Sequence, residues 1–509
     1  MHDGGIRVAA LVAAGFLLST LMGVSGAPRA QTAPGGSPEA SPAPRSFEST
    51  HTGTFGATTV TYTVTAADTF LGAATGRPTA TIFAFSYLRQ GVRDASTRPV
   101  TFIFNGGPGS SSLWIHVGAM GPRIVDLGSD TAHPRTVGPF PQMRANPLSP
   151  LDVTDLVFID PVGTGFSHLL PGGKPEQYYG VDEDARATAE FIEAWLTQHH
   201  RWSSPKFVLG ESYGTIRVCE LLKVAFGGPF AGEQLPAITF NGAILLGTAL
   251  GGGGGEVALQ SLLPSLAAVA WYHGKVDKAG RTFEGFIQEA RQFAAADYGA
   301  ALYAGTRLTA EQRQSIARRM SALIGLSEDD ILKSDLRISA EEFAGELLRD
   351  RHLQLGRYDA RYVLASRGAG SDPVADDPAM AQYVPAFVTA FHEYLHDELR
   401  IPLQESYQVI AFRDVNAHWK YGARGEEGPY AADLAAAMRR TPAMRLMVGA
   451  GYYDLVTPFG AAEYALSHVD LPRDRTFFKY YASGHMAYLG AEPTQELMRD
   501  LRSFLSGAH

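Results

Sequence analysis

A mostly parallel β-sheet flanked by helices, an α/β fold carrying a large and mainly helical cap insertion, is the architecture this sequence predicts. Short continuous apolar runs at Val100–Phe104, Leu156–Ile159, Phe207–Leu209, Ile238–Leu246 and Leu446–Val448 suit strands covered on both faces. Helical patterns fall between them: the acidic residues Asp182, Glu183 and Asp184 suit a helix N-terminus ahead of Ala185 to His199. From Gly251 to Gly428 the alternation is interrupted by a stretch that reads as mainly helical.

In chain order, residues 1–30 read as an export signal, with Arg7, an apolar run from Val8 to Val24 and the small residues Ser25, Gly26 and Ala27. That run is nearly long enough for an uncleaved anchor; cleavage is the expectation, giving a secreted or periplasmic protein with no membrane attachment. Residues 31–46 are rich in Pro, Ala and Ser and lack the bulky apolar side chains that would offset ordering, so they read as a disordered linker. The first part of the core spans 47–250 and begins with alternation at Val60, Tyr62 and Val64, then a strand at Ile82 to Tyr87. The cap, 251–428, carries capping-box patterns at Thr309…Gln312 and Ser339…Glu342. Its leading run of glycines, 251–255, lacks the Lys-Ser/Thr of a phosphate loop. The second part of the core is 429–509.

Composition narrows the function. A formal charge of -9 over 509 residues supplies no basic surface for nucleic acid, and 45% hydrophobic with 19% charged residues describes an ordinary globular chain. Cys219 is the single cysteine, so no intramolecular disulfide forms and the fold rests on burial. No His-Glu-x-x-His cluster or equivalent is present, and no metal or organic cofactor is expected.

The chemistry concentrates in one segment, Phe207 to Thr215, an apolar strand run feeding the Gly-x-Ser-x-Gly turn Gly210-Glu211-Ser212-Tyr213-Gly214. Such a turn lifts a serine oxygen above a parallel sheet, which makes Ser212 the candidate nucleophile. A serine needs a base, and the base an acceptor that fixes its tautomer. Asp454 follows the strand run 446–448, and His485 follows another apolar stretch in the same manner. Taken singly, Asp454 reads as a turn residue and His485 as a loop histidine. The order Ser212, Asp454, His485 is that of the α/β-hydrolases. Asn105-Gly106-Gly107-Pro108-Gly109, after the strand at 100–104, offers backbone donors for an oxyanion, and Gly107 and Tyr213 N–H are assigned to that hole.

Together these residues resemble the serine carboxypeptidases of the carboxypeptidase Y type. The matching motifs are Asn105 to Ser112, Asp160 to Ser167, Gly210 to Gly214, Gly451 to Pro458 and Gly484 to Met486, and the wording around Tyr452 looks like the bacterial branch. The resemblance implies an α/β-hydrolase fold and a peptide substrate with a free C-terminus. It implies acyl-enzyme formation on Ser212, release of the C-terminal amino acid, then hydrolysis. It also implies that Asn105 and Glu211 grip the terminal carboxylate and that Met486 borders the substrate pocket, a role packing would explain equally well; Trp114 and His116 are candidates for the border of that pocket and are left unassigned. A carboxyl donates to a carboxylate only when protonated, so Glu211 needs a raised pKa and activity should favour acidic pH. Two positions depart from the pattern: Ala119 stands where the family commonly has a second glutamate, and Ser110 where it has a cysteine. The missing carboxyl keeps an esterase or acyltransferase on the same scaffold as the alternative. A non-catalytic binding protein would not need Ser212, Asp454 and His485 together.

Overall fold

The computed structural model describes residues 43–507, apart from 73–75, 128–141, 228–236, 252, 367–371, 373 and 427. The export-signal reading and most of the linker fall outside the described residues. Arg45, placed in the linker by composition, is instead held in the fold: its Nε lies 2.6 Å from Asp68 Oδ2 and its Nη2 donates to the Phe166 carbonyl at 2.7 Å. Two fixed acceptors order a guanidinium that local composition leaves free.

Among the described residues, nine strands form the principal sheet: β1 Ser46–Phe55, β2 Thr58–Leu71, β3 Ala80–Arg89, β4 Val100–Phe104, β5 Asp155–Asp160, β6 Lys206–Glu211, β7 Gly242–Leu246, β8 Arg445–Gly451 and β9 Thr476–Tyr481. Their spatial order is β1-β2-β3-β5-β4-β6-β7-β8-β9. From β5 to β9 every pairing is parallel. The first three strands form an antiparallel meander that joins β5 along β3. Only β1 and β2 alternate in burial, with Val60, Tyr62 and Val64 inward; β4 to β7 are buried at every position. That contrast follows from helices covering both faces of the parallel half.

One face of the sheet packs Ile103, Phe158 and Leu209 with the helix Ala491–Ser506; the other packs Phe102, Phe104 and Val208 with the helices Val181–Gln198, Gly214–Phe226 and Tyr430–Arg440. Cys219 is buried in the second layer, where burial pushes its thiol pKa up. The apolar run expected to be strand from Ile238 becomes strand only at Gly242. Asn241 intervenes, accepting from Lys206 N through its side chain at 2.9 Å and donating its own N–H to Lys206 O at 2.7 Å.

Between β7 and β8 runs the mainly helical stretch, whose helices Glu256–Tyr272, Phe283–Phe293 and Ala310–Ile324 share a core of their own with Phe459 and Tyr453. The Thr309 capping box forms in both directions, at 3.2 and 2.8 Å. Only half of the Ser339 box forms: Glu342 N donates to Ser339 Oγ at 3.1 Å, while the Glu342 carboxylate accepts from Ser334 instead. None of the described helices is long and apolar enough to cross a membrane.

Candidate active site

Four loops leave the C-terminal ends of parallel strands and converge, the position where open α/β sheets hold their ligands. Leaving β6, Ser212 adopts a φ of 59°, a left-handed conformation costly for a side-chain-bearing residue. Backbone bonds hold it there: Ser212 N donates to Leu246 O at 2.9 Å, and Thr215 N to Ser212 O at 2.8 Å. A Cβ on Gly210 would lie 2.1 Å from Gly214 O, and one on Gly106 would lie 2.4 Å from Tyr213 N, so both glycines answer to close backbone approach. The second contact seats the loop after β4, with Gly107, directly on the turn that carries Ser212.

Beyond β8, Asp454 is fully buried and collects hydrogen bonds from Val456 N at 2.8 Å, Thr457 N at 2.9 Å and Thr457 Oγ1 at 2.5 Å. His485 Nδ1 lies 2.9 Å from Asp454 Oδ2. A carboxylate facing Nδ1 assigns the proton to that nitrogen and leaves Nε2 as the acceptor. Burial lowers the imidazole pKa, but the Asp454 charge and hydrogen bond, with Glu211 and Asp377 behind them, carry it above its ordinary value. Ser212 and His485 line the same cleft. From the helical stretch, Tyr358 O accepts the His485 N–H at 2.6 Å and its ring stands edge-on to the imidazole at 5.4 Å.

Glu211 lies beside Ser212, almost fully buried. Asn105 Nδ2 donates to its Oε1 at 2.7 Å, and Ile115 N fixes the Asn105 amide by donating to Oδ1 at 3.2 Å. Oε2 has no hydrogen-bond partner. Burial raises the Glu211 carboxyl to about 7, against the lowering influence of His485, Tyr488 and Asn105. The carboxyl is therefore protonated through the acidic range without any ligand. Ala119, in the short helical segment His116–Met120, is fully buried and has no polar side-chain group.

Buried charged side chains behind these loops hold their backbones in place. Arg217, on the helix after Ser212, is buried with Nε 2.6 Å from Asp184 Oδ2, and its Nη1 donates to Asn105 O at 2.7 Å. Asp160, at the end of β5, accepts from Ser112 N at 2.9 Å, Ser112 Oγ at 2.7 Å and Tyr407 Oη at 3.0 Å. Burial outweighs those bonds and lifts its carboxyl to about 6.

The cleft brings together Asn105, Gly107, Glu211, Ser212, His485 and Met486, and Trp114 borders it as expected. Tyr213 is buried next to Ser212, stacked edge-on to Trp419. His116 does not reach the cleft: it is fully buried, stacked on Phe158 at 4.0 Å with Nε2 2.7 Å from Tyr87 Oη. Apolar walls come from the helical stretch through Val374, Met380, Ile410 and Phe412. Those four, with Tyr358, Thr457 and Arg217, were not legible as site residues. Arg217 alone left a signal, a cation set among apolar positions of a helix. Among the described residues no group of three or more His, Cys, Asp or Glu is placed to hold a metal ion.

Comparison with known proteins adds a family to this geometry. A family model described as serine carboxypeptidase matches residues 75–496. Serine carboxypeptidase-like 20 of Arabidopsis thaliana is 30% identical over 161 residues, 31% of each chain. Serine carboxypeptidase-like 5 of the same plant is 31% identical over 133 residues, 25% of this chain and 28% of the relative. The match thus spans about a third of the length of these curated relatives. A crystal structure of a prohormone-processing carboxypeptidase from Saccharomyces cerevisiae superposes with a TM-score of 0.51 at 15% identity, covering 88% of this chain and 92% of that one, a likeness of fold.

Proposed function

Because the chain belongs to the serine carboxypeptidase family and has its α/β-hydrolase fold, we propose that it is an exported serine-type carboxypeptidase of the family's bacterial branch, releasing C-terminal amino acids from peptides at mildly acidic pH. Ser212 Oγ attacks the last peptide carbonyl as His485 Nε2 takes its proton. Asp454 holds the imidazole and stabilises the imidazolium. The oxyanion accepts from Gly107 and Tyr213 N–H. His485 then protonates the leaving amine, the amino acid departs, and a water activated by the same histidine hydrolyses the acyl-enzyme. Export is supported by the charged, apolar and small-residue order of residues 7–27.

The observation that carries this reading is the carboxyl of Glu211, which lines the cleft beside Ser212, is held by Asn105 and keeps its proton up to about pH 7. A neutral carboxylic acid aimed at a cleft is a donor for a carboxylate; an esterase acting on neutral substrates gains nothing from it. Glu211 keeps its proton up to about 7, and His485, raised above its ordinary 6.5 by Asp454, must still be unprotonated, so free-acid turnover is confined to a narrow window just below neutrality. The apolar walls support substrates with apolar side chains flanking the scissile bond.

One observation favours the second reading, an esterase or acyltransferase: Ala119 leaves the carboxylate site without a second carboxyl. The test offers an N-blocked Phe-Leu dipeptide as free acid, amide and methyl ester, with Ser212→Ala as control. Ser212-dependent leucine release from the free acid supports the carboxypeptidase; turnover of the ester alone moves the protein to the esterase or acyltransferase class.

A further inference from the structure

We infer that Tyr488 is a positioning residue of the carboxylate site, its phenol hydroxyl pairing with Glu211 Oε2 and holding that carboxyl in place for the substrate terminus. The inference rests on the carboxypeptidase reading above.

Two buried polar atoms behind the cleft, Tyr488 Oη and Glu211 Oε2, make no hydrogen bond of good geometry to any other group. Tyr488 is 0% exposed and Glu211 3%. An unpaired buried hydroxyl and an unpaired buried carboxyl oxygen each carry a desolvation penalty, which their pairing would remove. The two already face one another: the phenol and Glu211 act on each other's proton affinity through a side-chain contact, and Asn105 completes the group. The other charged groups that face Glu211 are His485 and Asp454, both committed to one another at 2.9 Å. This leaves the phenol as the remaining neutral donor.

The position of the ring has a local cause. It lies against the short helical segment that carries Ala119, where a Cβ on Gly118 would meet Tyr488 Cε2 at 2.7 Å. Gly118 and Ala119 are small, and the tyrosine fills the side of that segment. The loop after His485 is clamped so that the ring cannot leave easily: Arg361 Nη2 donates to Leu489 O at 3.0 Å, and Ser483 Oγ to the same oxygen at 2.8 Å. Thr494 Oγ1 donates to Tyr488 O at 2.5 Å. A phenol stays protonated throughout the working range, so it donates to Glu211 without competing for its proton. When substrate binds, that donor holds one carboxyl oxygen in place while the Glu211 O–H donates a hydrogen bond to the substrate carboxylate and keeps its proton.

The test is Tyr488→Phe, which removes one oxygen and no packing volume. The variant is expected to keep the fold, with an unfolding temperature close to that of the wild type. kcat/KM is measured against pH for both proteins on the free-acid dipeptide and on its ester. A phenol donor stabilises ionised Glu211, so its loss keeps the carboxyl protonated to higher pH. The alkaline limb on the free acid is expected to move up by about one pH unit, with a rise in KM for that substrate, relative to the limb on the ester. Free-acid and ester limbs that stay in register in the variant would overturn the inference. Failure of the wild-type enzyme to release an amino acid from the free acid would overturn the carboxypeptidase reading itself, a separate result.

Discussion

Asp454 spends both carboxylate oxygens on fixed donors: Oδ1 on Val456 N and Thr457 N, Oδ2 on Thr457 Oγ1 and His485 Nδ1. An asparagine there would present an amide N–H to one of these donors and push the imidazole toward the tautomer with its proton on Nε2, useless as a base. Asp454→Asn is therefore expected to lower kcat on the order of 10⁴-fold with little change in fold, measured by steady-state kinetics and circular dichroism. Ser212, Asp454 and His485 were legible because each follows an apolar strand run, and three such placements constrain one another. Tyr488 was not legible: its role depends on a ring packed against Gly118 from a segment distant in sequence, and no local pattern encodes that contact. His116, left unassigned by the sequence, shows the reverse. It lies near the cleft in sequence, yet desolvation holds its pKa at about 3, and it serves the aromatic layer under the sheet.

At the level of elements, the turn that carries Ser212 is braced by an ion pair between the helices Val181–Gln198 and Gly214–Phe226. Arg217 is 0% and Asp184 6% exposed at their side chains, so each charge depends on the other. Removing one leaves the partner buried and unpaired, a cost of about 3–5 kcal/mol, whereas removing both costs far less. Arg217→Met should accordingly lose about that much in urea unfolding, and Asp184→Asn added to it should recover a large part, measured as a double-mutant cycle. The recovery stays incomplete because Arg217 also holds Asn105 O. The buried parallel strands were legible from continuous apolar runs. Their ends were less so: Asn241 interrupts an apolar run by substituting its side chain for ladder bonds, an event that hydrophobicity does not record.

Across the whole molecule, the site is completed by parts far apart in sequence. The core supplies Ser212, Asp454 and His485, while the helical stretch supplies Tyr358 against the imidazole and the apolar wall at Met380, Ile410 and Phe412. Which residues of that stretch reach the cleft is not legible in the sequence, since long-range packing decides it. The buried Glu211 carboxyl also affects stability. Its folded pKa of about 7 lies above the ordinary 4.5, so the folded state binds its proton more tightly than the unfolded state. The stability linked to it is complete below pH 4.5 and is lost as pH rises through 7. Glu211→Gln, neutral at every pH, should gain on the wild type by a few kcal/mol in urea unfolding as pH goes from 5 to 8; a gap independent of pH would contradict the assigned protonation.

The central claim is that a protonated Glu211 recognises a substrate carboxylate next to Ser212. The pH dependence of wild-type kcat/KM, compared between the free-acid dipeptide and its methyl ester, tests it most directly, because this ratio reports groups of the free enzyme. The account predicts that free-acid turnover falls as pH rises above about 7 while ester turnover holds. Parallel profiles for the two substrates would contradict it.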